Sequence, residues 1–198
     1  MEELIRLLIQ ALNDEWKATL QYQIHASQLR GIFREGIGDH MKDHAEDEQR
    51  HAEELTAHLF GKGLDVNVTV PEVSTSMNHI EMIAQDLELE VQAIDLYSQI
   101  LEMIGDNPEL SDTRVLIESI MTDEVSHQDE FAAMLRAKVG PRAEAIGGAG
   151  GPVTAAIAQT FLKIADQSDR LSDKFGTGGV AMLKRADSYT QAAEMMLR

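Results

Sequence analysis

Two stretches of this 198-residue chain carry the same arrangement of carboxylate and imidazole side chains. Glu15-Trp16-Lys17-Ala18-Thr19-Leu20-Gln21-Tyr22 and Glu90-Val91-Gln92-Ala93-Ile94-Asp95-Leu96-Tyr97 both read Glu-x-x-Ala-x-x-x-Tyr, 75 residues apart. Asp47-Glu48-Gln49-Arg50-His51 and Asp123-Glu124-Val125-Ser126-His127 both read Asp-Glu-x-x-His, 76 residues apart. A single Glu-x-x-His is a weak signal. Here each one follows a lone Glu by 33 or 34 residues, and each lone Glu stands seven residues before a Tyr. Chance does not produce so many matching offsets, so the chain is read as an internal repeat.

The spacing has a chemical sense. Residues i and i+3 share one face of a helix, so a Glu and a His placed that way reach toward one point. A carboxylate can bridge two cations, and a neutral imidazole binds one. Four carboxylates balance two divalent ions. Mixed oxygen and nitrogen donors suit iron, with manganese as the alternative, better than calcium or copper. The candidate metal ligands, and with them the candidate catalytic set, are Glu15, Glu48, His51, Glu90, Glu124 and His127. Any one of these glutamates taken singly would be expected on a solvated face. As a set they are not, because Glu15 shares its stripe with Ala11, Leu12 and Ala18, and Glu90 with Leu87, Ala93 and Ile94. Burying four carboxylates without cations would cost many kcal/mol.

Around the ligands, Asp47 and Asp123 each precede a Glu of the repeat. A metal-bound histidine usually donates its second ring N–H to a carboxylate or carbonyl. If the two Asp-Glu-x-x-His helices face each other, Asp123 meets His51 and Asp47 meets His127. Tyr22 and Tyr97, as core tyrosines, need hydrogen-bond partners and are candidates to support the site. His40, His44 and His58 read as surface or rim residues. His44, four residues before Glu48, is a candidate auxiliary ligand.

These side chains need helices to carry them. Leu4, Leu7, Leu8, Leu12, Trp16 and Leu20 recur at helical spacing and predict a helix over 3–30, stopped by Gly31. A second runs over 39–60 with Asp39 as cap and Gly61 and Gly63 as stop. Val66, Val68 and Val70 alternate with polar residues before Pro71, which predicts an extended connection. Ser74 or Ser76 is expected to cap a third helix over 77–104. Gly105-Asp106-Asn107-Pro108 is a turn, and a fourth helix covers 109–139 before Gly140-Pro141. The links run short, long, short. An extended link of ~15 residues spans up to ~50 Å, enough to cross the length of a bundle. The fold class expected is all-α: a four-helix bundle over 1–140 with one long crossover, then a Gly-rich joint and a C-terminal helical hairpin over 141–198, with helices at 153–174 and 180–197. All six candidate ligands precede residue 128, so this extension is expected to be dispensable for the site.

Composition narrows the partners. The net charge of −17 disfavours nucleic acid and anionic lipid and favours cations. With no cysteine, there is no disulfide, thiolate zinc site or Fe–S cluster, which fits a cytoplasmic protein. The start Met1-Glu2-Glu3 lacks the basic region of a signal peptide, and no apolar run reaches the ~18 residues of a membrane helix.

One Glu on each of two helices and Glu-x-x-His on each of the other two resembles the ligand layout of ferritin-like di-iron proteins. Within them the chain is most similar to bacterioferritins. Leu12-Asn13-Asp14-Glu15 with Tyr22 and His25, Asp47-Glu48-x-x-His51-Ala52 and Asp86-Leu87-x-Leu89-Glu90 carry the resemblance, over roughly residues 4–140. It implies that Glu48 and Glu124 bridge two iron ions, that Glu15 and Glu90 are terminal carboxylates, and that His51 and His127 each cap one iron. It implies ferroxidase chemistry, Fe2+ being oxidised by O2 or H2O2 for iron storage or detoxification, in a homo-oligomer. An oxygenase or oxidase, or a rubrerythrin-like peroxidase, acting on a non-iron substrate is the alternative. Gln49 stands where bacterioferritins carry the axial haem methionine, so haem is not expected. The extension is longer than the family's short fifth helix.

Overall fold

The computed structural model describes residues 1–30, 34, 36–139, 152–175 and 186–197. They form six α-helices: α1 Glu2–Gln28, α2 Ile37–Gly61, α3 His79–Ile104, α4 Ser111–Val139, α5 Pro152–Phe175 and α6 Ala186–Leu197, with a 3-10 turn at Pro108–Leu110 before α4. No strand occurs among the described residues. The all-α class, the four long helices and the long second connection are as the periodicity predicts. No helix among the described residues is long and apolar enough to cross a membrane. The expected stops at Gly31 and Gly140-Pro141, the Gly-rich joint and the 176–179 turn lie outside the described residues, as does the start of the helix expected from residue 180.

Helix ends differ from expectation in detail. Asp39 does not cap α2, which starts two residues earlier behind Gly36 without a side-chain cap. Asp39 instead lies in the first turn, bonded to Lys42 at 3.1 Å, where its charge suits the helix dipole. Neither Ser74 nor Ser76 opens α3. Asn78 Oδ1 accepts from the Ile80 amide at 3.0 Å and so caps the helix that begins at His79. The end of α2 is better signalled. Gly63 at φ 77° donates to Phe60 O, and Leu64 donates to Leu59 O, which closes the helix and needs the left-handed glycine.

The chain divides into two compact units, residues 1–77 with 92–124, and residues 78–91 with 125–198. In the first, α1, α2, the second half of α3 and the first half of α4 bury Leu8, Leu12, Leu55, Leu59, Ile94, Ile100 and Ile117. The long connection follows α1, where the Thr69 amide donates to Asn13 Oδ1 and the Ser74 amide to Gln21 Oε1, each at 2.8 Å. Extended backbone without a partner strand must find its hydrogen bonds in this way. Lys62 pairs with Asp112 at 2.5 Å, and His58 bonds Thr113 at 2.9 Å, so the end of α2 is tied to the start of α4.

In the second unit, the first half of α3, the second half of α4, α5 and α6 enclose Met82, Ile83, Leu87, Phe131, Leu135, Phe161 and Tyr189. The stripe Ile157, Phe161, Ile164 on α5 is buried as its spacing predicts. Phe161 meets Tyr189 edge to face at 5.7 Å, and the Arg136 guanidinium lies 4.8 Å from the Tyr189 ring centre.

A carboxylate and histidine centre

The amphipathic pattern of α1 that buries Leu8, Ala11 and Leu12 carries Glu15 inward with them. On α2, the face of Met41, Ala45, Ala52 and Leu55 also holds Glu48 and His51, and α4 contributes Glu124. The structure brings Glu15, Glu48, His51 and Glu124 together: one donor atom from each lies within 4.8 Å of all the others. Their exposures are 4%, 1%, 0% and 2%, so water does not screen them.

His51 organises this cluster. Its Nδ1 lies 2.9 Å from Glu124 Oε1, 3.3 Å from Glu48 Oε2 and 3.5 Å from Glu15 Oε2. Its Nε2 faces the other way, 3.2 Å from Asp123 Oδ2. Burial works against the imidazolium, but hydrogen bonds to Glu124, Glu15 and Glu48 outweigh it and raise the His51 pKa far above its ordinary value. Burial first, then the charges of Glu124 and Glu48, push the Glu15 carboxyl well up. The Tyr97 hydroxyl donates to Glu15 Oε1, and Tyr97 is itself sealed from water. Tyr22 is fully buried as well.

In the second unit Glu90 and His127 are both buried, with His127 Nδ1 3.9 Å from Glu90 Oε1. In the first unit, Asp47 accepts from Arg50 Nη2 at 3.0 Å. His44 is buried rather than at the rim, and stacks with His40 at 6.4 Å between ring centres. Its neighbours Met41, Ala45 and Glu48 draw it onto the inner face of α2.

Arg50 is a residue the spacing argument passed over. Its Nη2 reaches Asp47 Oδ1 and Asp123 Oδ2, each at 3.0 Å, and lies 3.4 Å from His51 Nε2. Burial would raise the Asp123 pKa, but hydrogen bonds from Arg50 and His51 keep its carboxyl below its ordinary value. The i, i+3 step from Asp47 to Arg50 was the available sign. The repeat does not preserve it, since Ser126 stands at the matching position.

The donor set fits a cation. One imidazole nitrogen faces three sealed carboxylates, 2.9 Å from Glu124 Oε1, 3.3 Å from Glu48 Oε2 and 3.5 Å from Glu15 Oε2, and a single N–H cannot serve them all. Buried carboxylate oxygens in that state call for positive charge. With Nε2–H held by Asp123, it is the Nδ1 proton that a cation would displace, leaving the Nδ1 lone pair among the carboxylates, the arrangement of a metal-binding histidine.

Similarity to known proteins agrees with this centre. The chain is 27% identical over 134 residues to a bacterioferritin of Mycolicibacterium paratuberculosis, a match covering 67% of this chain and 84% of that protein. The structure resembles the crystal structure of ferritin-like, diiron-carboxylate proteins from Bacillus anthracis str. Ames, with a TM-score of 0.64 and 25% identity. That likeness covers 68% of this chain and 96% of the other. Residues 5–138 match the profile of the ferritin-like domain family, and the chain belongs to that family.

Proposed function

We propose that this protein is a di-iron ferroxidase serving iron storage or detoxification. The observation that carries the reading is the buried cluster of Glu15, Glu48, His51 and Glu124, in which three carboxylates converge on one imidazole nitrogen. These four would hold one iron. By the internal repeat of the sequence, Glu90 and His127 are the matching ligands of a second. The resemblance to bacterioferritins makes Glu48 and Glu124 the carboxylates that bridge the pair. The family resemblance extends the proposal to a homo-oligomer acting in the cytoplasm.

Iron enters as substrate. Two Fe2+ each give up one electron, and O2 with two protons becomes H2O2; with H2O2 as oxidant, two protons and the same two electrons yield two waters. The chain's own residues prepare that exchange. Four carboxylates neutralise two Fe2+, which makes entry into a dry site favourable. Binding must displace the protons that Glu15 and His51 hold without metal, because ligands act deprotonated. Asp123 keeps the Nε2 proton of His51, so the lone pair stays on Nδ1. Tyr97 fixes the carboxylate plane of Glu15 through Oε1.

The test is aerobic addition of Fe2+ to metal-free protein, following ferric absorbance and O2 uptake. Two Fe2+ per chain should oxidise in a fast phase. Replacing Glu48 or Glu124 with Ala should remove most of it. Rates in both variants equal to the unmodified chain would defeat the reading.

A further inference from the structure

The helices after residue 138 lie beyond the match to the ferritin-like domain family. The sequence suggests that they have no bearing on the ligands. The second unit shows a direct link instead. Gln167 of α5 is 2% exposed and spans two other helices with its carboxamide. Its Nε2 donates to the Val91 carbonyl of α3 at 2.9 Å, and its Oε1 accepts from Gln128 Nε2 of α4 at 2.9 Å. The carbonyl of Val91 can only accept, so the orientation of both amides is fixed. Val91 follows Glu90 directly, and Gln128 follows His127 directly.

Two more contacts place α5 against the same turn of α3. Lys163 Nζ pairs with Glu88 Oε1 at 2.6 Å, and Thr160 Oγ1 donates to Glu88 Oε2 at 3.3 Å. Thr160, Lys163 and Gln167 follow a helical i, i+3, i+7 step, so they form one stripe of α5. That stripe therefore meets α3 beside Glu90, and through Gln167 meets α4 beside His127.

We infer that Gln167 is a positioning residue for the Glu90 and His127 pair, and that the C-terminal extension is part of the metal centre's support. The inference rests on the di-metal reading above. Gln167 touches neither ligand side chain. It acts on the backbone that carries them, holding α3 and α4 at one spacing and register so that His127 Nδ1 and Glu90 Oε1 stay 3.9 Å apart. Groups behind metal ligands commonly change affinity by ~10–100-fold when removed.

The test is stepwise titration of the full-length metal-free chain with Co2+, read by calorimetry and by visible Co2+ absorption. The unmodified chain, Gln167→Leu and Phe161→Leu are compared. Phe161→Leu loosens α5 packing without touching the amide link, and so controls for lost stability. The expected result is two Co2+ per chain, with the second bound ~10–100-fold more weakly in Gln167→Leu and at unmodified affinity in Phe161→Leu. Gln167→Glu keeps the acceptor for Gln128 but loses the donor to Val91. It should reproduce the weakening, and it stands in if Gln167→Leu does not fold. An unmodified chain that binds fewer than two Co2+ overturns the di-metal reading and this inference with it. Two Co2+ bound normally by the Gln167 variants, or an equal loss in Phe161→Leu, overturns this inference alone.

Discussion

Asp123 and His51 face each other across α4 and α2, with Asp123 Oδ2 3.2 Å from His51 Nε2. This contact decides which nitrogen of the ring can serve a cation. While Asp123 accepts from Nε2, deprotonation by a cation can free only Nδ1, the nitrogen that meets Glu15, Glu48 and Glu124. Asp123→Ala should therefore weaken Co2+ affinity at this centre ~10–100-fold while the helices stay folded. Isothermal titration together with circular dichroism checks it. Unchanged affinity in a folded variant would show that Asp123 does not set the state of the ring.

The long-range order of the site was legible because helical spacing is a strict ruler. Glu48 and His51 stand one turn apart on α2 wherever the helix starts, so an error of two residues at Asp39 did not move them. The repeat then supplied the partners Glu15 and Glu124. What the repeat could not supply is what breaks it. Arg50 has no counterpart at Ser126, and its bond to Asp123 is a contact between residues 73 positions apart. Gln167 belongs to a segment with no repeat at all. Helix caps were misplaced because several Ser, Asp and Asn residues near each boundary compete, and tertiary packing chooses among them.

Tyr97 ties its hydroxyl to a carboxylate of α1, 82 positions away. Tyr97→Phe removes the donor and leaves Glu15 Oε1 buried with its partner lost. The metal-free protein should lose ~1–3 kcal/mol in denaturant unfolding. Iron stoichiometry should remain, since no ligand atom is removed, while oxidation slows several-fold as Glu15 gains freedom. Stopped-flow absorbance reads both at once. Loss of stoichiometry would make Tyr97 essential to binding rather than to orientation.

Arg136 holds the C-terminal hairpin through ring faces. Its guanidinium lies 4.8 Å from Tyr189 and 5.8 Å from Phe161, and Tyr189 bonds Asp129. Arg136→Ala should cost ~0.5–1 kcal/mol of cation–π attraction. The effect should be local, with faster amide exchange in α6 and little change in α1 or α2. Exchange mass spectrometry resolves the helices, and a uniform rise across all six would refute a local lock.

The metal-free protein should lose stability as pH rises through the mildly acidic and neutral range, opposite to the behaviour of a protein held by ordinary paired carboxylates. Glu15 keeps its proton in the fold, through burial and the charges of Glu124 and Glu48, beyond the pH where it would be lost in the unfolded chain. His51 does the same through its hydrogen bonds to Glu124, Glu15 and Glu48, which overcome burial. For both groups the folded state binds more protons than the unfolded one. Stability is therefore full below the ordinary values of 4.5 for Glu15 and 6.5 for His51, and falls as pH climbs from each toward the raised folded value. The slope is at most ~1.4 kcal/mol per pH unit for each proton. Asp123, held low by Arg50 and His51 against its burial, gives the opposite slope only in acid, and that contribution is complete by about pH 5.5. Metal binding reverses the trend, because a cation replaces the protons and its affinity grows as they leave. Urea unfolding at pH 5.5, 6.5 and 7.5, with chelator and with saturating Co2+, should give a falling series without metal and a rising gap between the two. Glu15→Gln should flatten the metal-free series in part. A metal-free stability that climbs over this range would show that the carboxylates are already balanced without a cation, and the centre would lose its reason to bind one.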